Sequence, residues 1–156
     1  MIYSEHVFVL AASNLPWDLD PALLRRLEKR ILVPMPGKEA RKEMLKSYLL
    51  RYNCLIEERD FEEVATLTEG YSGADMKLLC KEAGMRPVRR ILKNIEELES
   101  NDKHARSIKK VNTKLLMKKY PITVDDLRKS IISTKASTNP ELLNTYKSWS
   151  EKYGAT

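Results

Sequence analysis

Three small groups of residues in this chain have types and spacings that could do chemistry. The first is Asn14, two positions past the apolar run Val7-Phe-Val-Leu-Ala-Ala12. Parallel α/β sheets bind ligands beyond the carboxyl ends of their strands, and an amide there can accept from a water while donating to a phosphate oxygen. The same Asn could simply satisfy its own turn. The second group is the adjacent pair Arg25 and Arg26. Neighbours on a helix point about 100° apart, so one guanidinium can reach a phosphate while the other braces a carboxylate. Arginine set against a transferring phosphoryl group stabilises its charge, with effects on the order of 10³–10⁵ in rate. The plain alternative is a solvated basic face paired with Glu28. The third group is Ser72-Gly73-Ala74-Asp75, small residues opening a helix, where a planar base or a phosphate could approach closely. As an ordinary helix cap it needs no ligand. The sequence contains no GxxxxGK[ST] phosphate loop and no apolar run ending in an Asp-Glu pair to hold Mg²⁺. The three groups suit one side of a nucleotide-hydrolysing site without the side that grips the phosphates.

The elements that position these residues follow from pattern. Val7 to Ala12, rich in β-branched and aromatic members, predicts a buried strand of a parallel sheet. Pro16, Asp18 and Asp20 break it into a loop. Asp20 as N-cap and Pro21 at the first helical position predict a short helix carrying Arg25 and Arg26. Ile31-Leu-Val33 reads as a second strand, closed by Pro34 and Pro36. Two isolated strands make no stable sheet, so their partners are expected from residues outside this chain or from another chain. From Gly37 the period becomes helical, with Ala40, Met44, Leu45, Tyr48 and Leu49 on one side. Asp60 is expected to cap a shorter helix bearing Phe61, Val64, Ala65 and Leu67.

Ser72 to Asp75 has the form of a capping box with Asp in place of Glu. It opens a helix with the stripe Met76, Leu79, Cys80 and Ala83, continued by Val88, Ile91, Leu92 and Ile95. Pro87 is expected to kink or interrupt that helix. Thr123 to Asp126 resembles a second box, leading to Leu127, Ile131 and Ile132. After a polar linker, Ser133 to Thr138, Asn139-Pro140 starts a last helix with Leu142, Leu143, Tyr146, Trp149 and Tyr153 on one side. The expected fold is mostly α with a small α/β remnant. Its parts are a remnant over 1–36, a compact helical unit over 37–133, and a linker with a C-terminal helix over 134–156.

Composition narrows the class. With 42% hydrophobic and 32% charged residues, the chain is expected to be a soluble, helix-rich globular protein rather than a disordered one. No apolar run approaches the roughly 18 residues of a membrane span, and the N-terminus lacks the pattern of a secretory leader. Cys54 and Cys80 give neither a disulfide framework nor metal-ligand spacing, so free thiols in a reducing compartment are expected. Residues 100–122 hold Lys103, Arg106, Lys109, Lys110, Lys114, Lys118 and Lys119 against the single acid Asp102. That segment alone matches the formal net charge of +6 and suggests an anionic partner. A solvated loop is the plain alternative. Its middle, from Lys109 to Tyr120, could continue as helix. Nucleic acid fits poorly, because Tyr120 is the one aromatic residue there to stack on a base.

Taken together, LAASNLPWDLDPALLRRLEKRILVPMPGKEAR, EGYSGADMKLLCKEA and MRPVRR resemble the AAA ATPases of the katanin, spastin and Vps4 branch, most of all the katanin-like 2 type. The resemblance spans nearly the whole chain and is weakest over 100–122. It implies the C-terminal edge of a P-loop AAA large subdomain, then the helical lid subdomain and a C-terminal helix. It implies that Asn14 orients the attacking water, and that Arg25 and Arg26 act on ATP held by the neighbouring subunit of a hexameric ring. Gly73 and Ala74 would border adenine and ribose, with Met44 and Tyr48 facing the nucleotide from a lid helix. The helix with Tyr146, Trp149 and Tyr153 would pack back onto the large subdomain and support assembly.

ATP and Mg²⁺ are the implied cofactors of the intact protein, with the Mg²⁺ ligands outside this chain. Microtubules, through acidic tubulin tails, are the implied partner, and the cytoplasmic cytoskeleton the implied location. Alone the chain is expected to be inactive. The alternatives are an ESCRT-disassembling ATPase of the Vps4 type, or a non-catalytic helical module that binds an AAA ring.

Overall fold

The computed structural model describes residues 8–101 and 119–155. Contacts divide the chain into two units, Pro34–Thr138 and Met1–Val33 with Asn139–Thr156. The fold is mostly helical with one small parallel sheet.

Among the described residues the first unit contains four helices: α2 (Lys38–Leu49), α3 (Glu58–Leu67), α4 (Gly73–Asn101) and α5 (Val124–Ser133). Their apolar faces converge on one core. Leu45 and Leu49 come from α2, Val64 and Ala65 from α3, Met76, Leu79, Cys80 and Ala83 from α4, and Leu127 from α5. Each large aliphatic side chain buried there contributes on the order of 1.5–3 kcal/mol. The stripe on α2 differs from the sequence reading in one place. Ala40 is exposed and Arg41 is buried instead, because its guanidinium donates to the Ala65 carbonyl (Nη2 2.9 Å, Nε 3.2 Å) and to the Pro36 carbonyl (2.7 Å). A buried cation with its donors satisfied is tolerated where an unpaired one is not.

The helix starts are set by reciprocal caps. At α4 the Ser72 N–H donates to Asp75 Oδ2 (2.8 Å) and the Asp75 N–H to Ser72 Oγ (3.2 Å). Thr123 and Asp126 make the corresponding box at α5. At α3 the expected cap is displaced. Glu57 is the N-cap, and Asp60 is the third helical residue whose carboxylate answers the Glu57 N–H at 2.9 Å. An acid at the third position satisfies a donor that a side chain at the cap leaves open. Gly70, at φ +79°, supplies the left-handed turn from α3 into Tyr71 that a side chain would strain.

Helix α4 runs through Pro87 uninterrupted. The arginines on either side of the proline tie it to α5. Arg86 donates to Ser130 Oγ (2.9 Å) and the Lys129 carbonyl (2.8 Å), and Arg90 grips the Asp126 carboxylate (Nη2–Oδ2 3.0 Å) and the Pro121 carbonyl (3.2 Å). The parallel sheet joins β1 (Cys54–Leu55) to β2 (Ile122–Thr123), with Cys54 opposite Ile122.

The second unit contains a 3₁₀ turn at Pro16–Asp18, α1 (Pro21–Arg26) and α6 (Pro140–Tyr153). Asp20 and Asn139 cap these helices with Pro at the next position. Neither helix has a buried residue. Residues 8–12 and 31–33, expected as strands, form none. Phe8 is 92% exposed, Leu10 98% and Ile31 79%. A strand is held by its ladder, and no described residue offers these segments a hydrogen-bonding edge. Most of the basic segment, 102–118, lies outside the described residues.

Candidate functional site

The seven residues singled out by sequence fall in different units. Asn14, Arg25 and Arg26 are in the second unit, and Met44, Tyr48, Gly73 and Ala74 in the first.

Asn14 lies in the bend before the 3₁₀ turn, with its side chain exposed. Its backbone is fixed from α6, whose Tyr146 hydroxyl donates to the Asn14 carbonyl. The Tyr146 ring packs against Trp17, with centroids 5.1 Å apart. Ser13 Oγ, accepting from the Leu15 N–H at 3.1 Å, shapes the same bend. The amide of Asn14 is therefore held by its backbone and left open at its tip.

Arg25 and Arg26 end the six-residue helix α1 and are both exposed. Neither guanidinium is bonded to any described residue. The helix is fixed at its start by Asp20 Oδ1, which accepts from the N–H groups of Ala22 (2.7 Å) and Leu23 (3.2 Å). Its end is fixed by Arg30, whose importance the sequence did not signal. Arg30 Nη2 donates to the Leu24 carbonyl and Nη1 to the Tyr153 carbonyl, each at 2.7 Å. The Ala155 N–H returns a bond to the Arg30 carbonyl at 2.9 Å.

In the first unit, Met44 and Tyr48 stand one turn apart on α2, half-buried against the core. Gly73 opens α4 beside them. A Cβ at Gly73 would lie 3.8 Å from the terminal methyl of Met44. The Met44 methyl thus packs close to the Gly73 backbone, at ordinary van der Waals range of any Cβ there. A phosphate fits poorly at this helix start. The Asp75 carboxylate already occupies the helix terminus, accepting from Ser72 N–H, Ser72 Oγ (2.7 Å) and the Ser137 N–H (3.3 Å). Burial pushes that carboxyl up, but the bonds from Ser72 and Ser137 together outweigh it and hold it below its ordinary value. A second anion there would meet a standing negative charge. Among the described residues no group of three or more His, Cys, Asp or Glu could hold a metal ion. Among the described residues Met44 and Gly73 thus lie in contact, with no cluster of metal-ligating side chains beside them.

The other perturbed groups are structural. Burial pushes Asp126 up, and the bonds from Arg90 and Thr123 outweigh it, leaving the carboxyl low. Both cysteines are free. Burial raises the Cys54 thiol, and pushes Cys80 up to about 12, so Cys80 stays an uncharged core residue. At the edge of the basic segment, Tyr120 accepts from Asn94 Nδ2 at 3.2 Å and already serves the fold. Among the described residues no helix is long and apolar enough to cross a membrane.

Two known domain families match the chain: the AAA+ lid domain over residues 58–102 and the Vps4 C terminal oligomerisation domain over residues 98–154. The chain is similar to the katanin p60 A-like 2 protein of Xenopus tropicalis, at 42% identity over 94% of this chain and 26% of that protein. It is similar to Spastin of Naegleria gruberi at 35% identity, over 96% of this chain and 26% of that protein. The chain therefore spans about a quarter of the length of these relatives. Among solved structures it resembles the FIGL-1 AAA domain in complex with ADP, with a TM-score of 0.71 and 30% identity, covering 91% of this chain and 43% of that one.

Proposed function

We propose that this chain, which belongs to the AAA ATPases of the katanin and spastin branch, supplies the water-orienting residue, the arginine pair and the nucleotide lid of a ring-forming ATPase that severs or remodels microtubules. The observation that carries the proposal is the state of the arginines. Arg30, Arg41, Arg86, Arg90 and Arg128 are all engaged with carbonyls, hydroxyls or carboxylates inside the chain. Arg25 and Arg26 stand side by side at the end of a capped helix with no bond to a described residue, a state that the isolated Arg51 shares but outside any helix. Two unneutralised guanidinium groups on a fixed support are what a phosphoryl group bound elsewhere requires.

In this reading Arg25 and Arg26 stabilise charge on ATP held by the neighbouring protomer of a hexamer, and Asn14 orients the attacking water. Gly73, Ala74, Met44 and Tyr48 cover adenine and ribose. ATP with Mg²⁺ supplies the phosphoryl chemistry, and residues outside this chain hold the phosphates and the metal. The match to a Vps4-type oligomerisation domain supports ring assembly, and relatives named katanin and spastin support action in the cytoplasm on the cytoskeleton. A Vps4-type ATPase is the second reading, favoured by that domain alone.

The basic segment then contacts acidic tubulin tails, an interaction that should weaken steeply with added salt. The chain by itself turns over no ATP. In the full-length protein, microtubules should stimulate turnover, and R25A/R26A should abolish the stimulated rate. Turnover indifferent to both the polymer and the arginines overturns the proposal.

A further inference from the structure

Helix α1 is difficult to account for by packing. It has six residues and none is buried, whereas isolated helices shorter than about 12 residues are marginal in water. Its last carbonyls lack intrahelical donors, as at every helix end. One guanidinium resolves this. Arg30 donates to Leu24, in the last turn of α1, and to Tyr153, the final residue of α6, at 2.7 Å each. Both acceptors lie at the negative ends of helices, where a fixed cation is favoured. The Ala155 N–H bonded to the Arg30 carbonyl holds the arginine's own backbone to the same chain end.

We propose that Arg30 is a positioning residue that caps two helix C-termini at once and so fixes the arginine-bearing helix α1 through the last turn of α6. The role rests on the reading of Arg25 and Arg26 given above, but its geometry does not. The planar fork is needed because its two outer nitrogens serve two carbonyls on separate elements, whereas a lysine ammonium offers one point of attachment. The C-terminal turn Tyr153–Ala155 thereby becomes part of the support for the arginines. It does this through backbone groups, independent of the aromatic face of α6.

Hydrogen exchange on the 156-residue chain tests the geometry without nucleotide. In R30A, the Leu24 and Leu27 amides, which donate to Asp20 and Leu23, should exchange at least about tenfold faster, and so should the Gly154 amide. Amides of α2 to α5 and the first turns of α6 should be unchanged. R30K, which keeps the charge, should recover only part of the protection and guards against general unfolding of R30A. Unchanged exchange in α1, full recovery by R30K, or equal acceleration along all of α6 overturns the proposal. In the full-length ATPase, R30A should lower kcat at unchanged KM for ATP, because the lid that covers the nucleotide is untouched. A rise in KM alone overturns the positioning role. If R25A/R26A leaves turnover unaffected, the arginine reading fails, while the exchange measurement still decides what Arg30 does.

Discussion

Each of the two units is stabilised internally, and by different means. The four-helix unit has a core to which each of its helices contributes, with Leu45, Val64, Ala65, Met76, Leu79, Ala83 and Leu127 fully buried. The other unit buries no residue of either helix. It relies on point contacts: the Trp17–Tyr146 ring pair, the Tyr146 hydroxyl on Asn14, and the Arg30 fork. The difference matches the tasks proposed for them. A lid that covers a nucleotide must hold its shape, which a packed core does by itself. A support for exposed arginines must keep them free of internal partners, and directional bonds to the backbone do that without covering the side chains.

The comparison can be broken most directly in the core. Leu79→Ala should cost the four-helix unit about 2–5 kcal/mol, read by urea denaturation. Leu23→Ala, at a site 41% exposed, should cost under about 0.5 kcal/mol. Equal effects would mean that the units do not differ as described. Next in size is Arg90→Ala, which leaves the buried Asp126 carboxylate without its cation. Because Arg90 is itself partly solvated, a loss of about 2 kcal/mol is expected rather than that of a fully buried pair.

Acid sharpens the same contrast. The folded Asp75 and Asp126 carboxyls lie below their ordinary value. Their contribution is complete above the unfolded value of about 3.9 and is lost as pH falls through the folded values. Denaturation midpoints of the four-helix unit should fall below about pH 4, and D75N and D126N should flatten that slope. In the other unit, Tyr146→Phe keeps the ring contact and removes one hydroxyl bond, costing about 1 kcal/mol. It should speed exchange around Asn14 and Leu15. The smallest effect is expected from Lys42→Met, in the surface ladder with Glu58 and Glu62, and it should vanish in about 0.5 M salt.

Local chemistry made much of this legible in sequence. The caps at Asp20, Ser72, Thr123 and Asn139 and much of the core faces of α2 to α5 depend on residues a few positions apart, which a pattern records, although Leu67, Leu92 and Ile132, expected among the apolar residues of these helices, are exposed. What depended on distant partners was not legible. The run Val7–Ala12 has strand composition, but a ladder needs an edge that pattern cannot supply. The two-residue strands at Cys54 and Ile122 are too short to alternate. Pro87 reads as a kink or interruption, whereas α4 continues through it, and the contacts of Arg86 and Arg90 with α5 are too long-range for a pattern to record. Arg30 and Arg41 look like ordinary surface cations, and only the fold shows which carbonyls they serve. The arginine pair was visible as a motif, but its lack of internal partners was visible only in the structure.

The most direct test of the central claim mixes two inactive full-length proteins. One carries R25A/R26A, and the other has an intact arginine pair but a disabled phosphate-binding loop. If Arg25 and Arg26 act on a neighbour's nucleotide, mixed rings place working arginines against working sites, and ATP turnover should reappear. Turnover that stays absent in assembled mixed rings would contradict action across the subunit boundary and the account built on it.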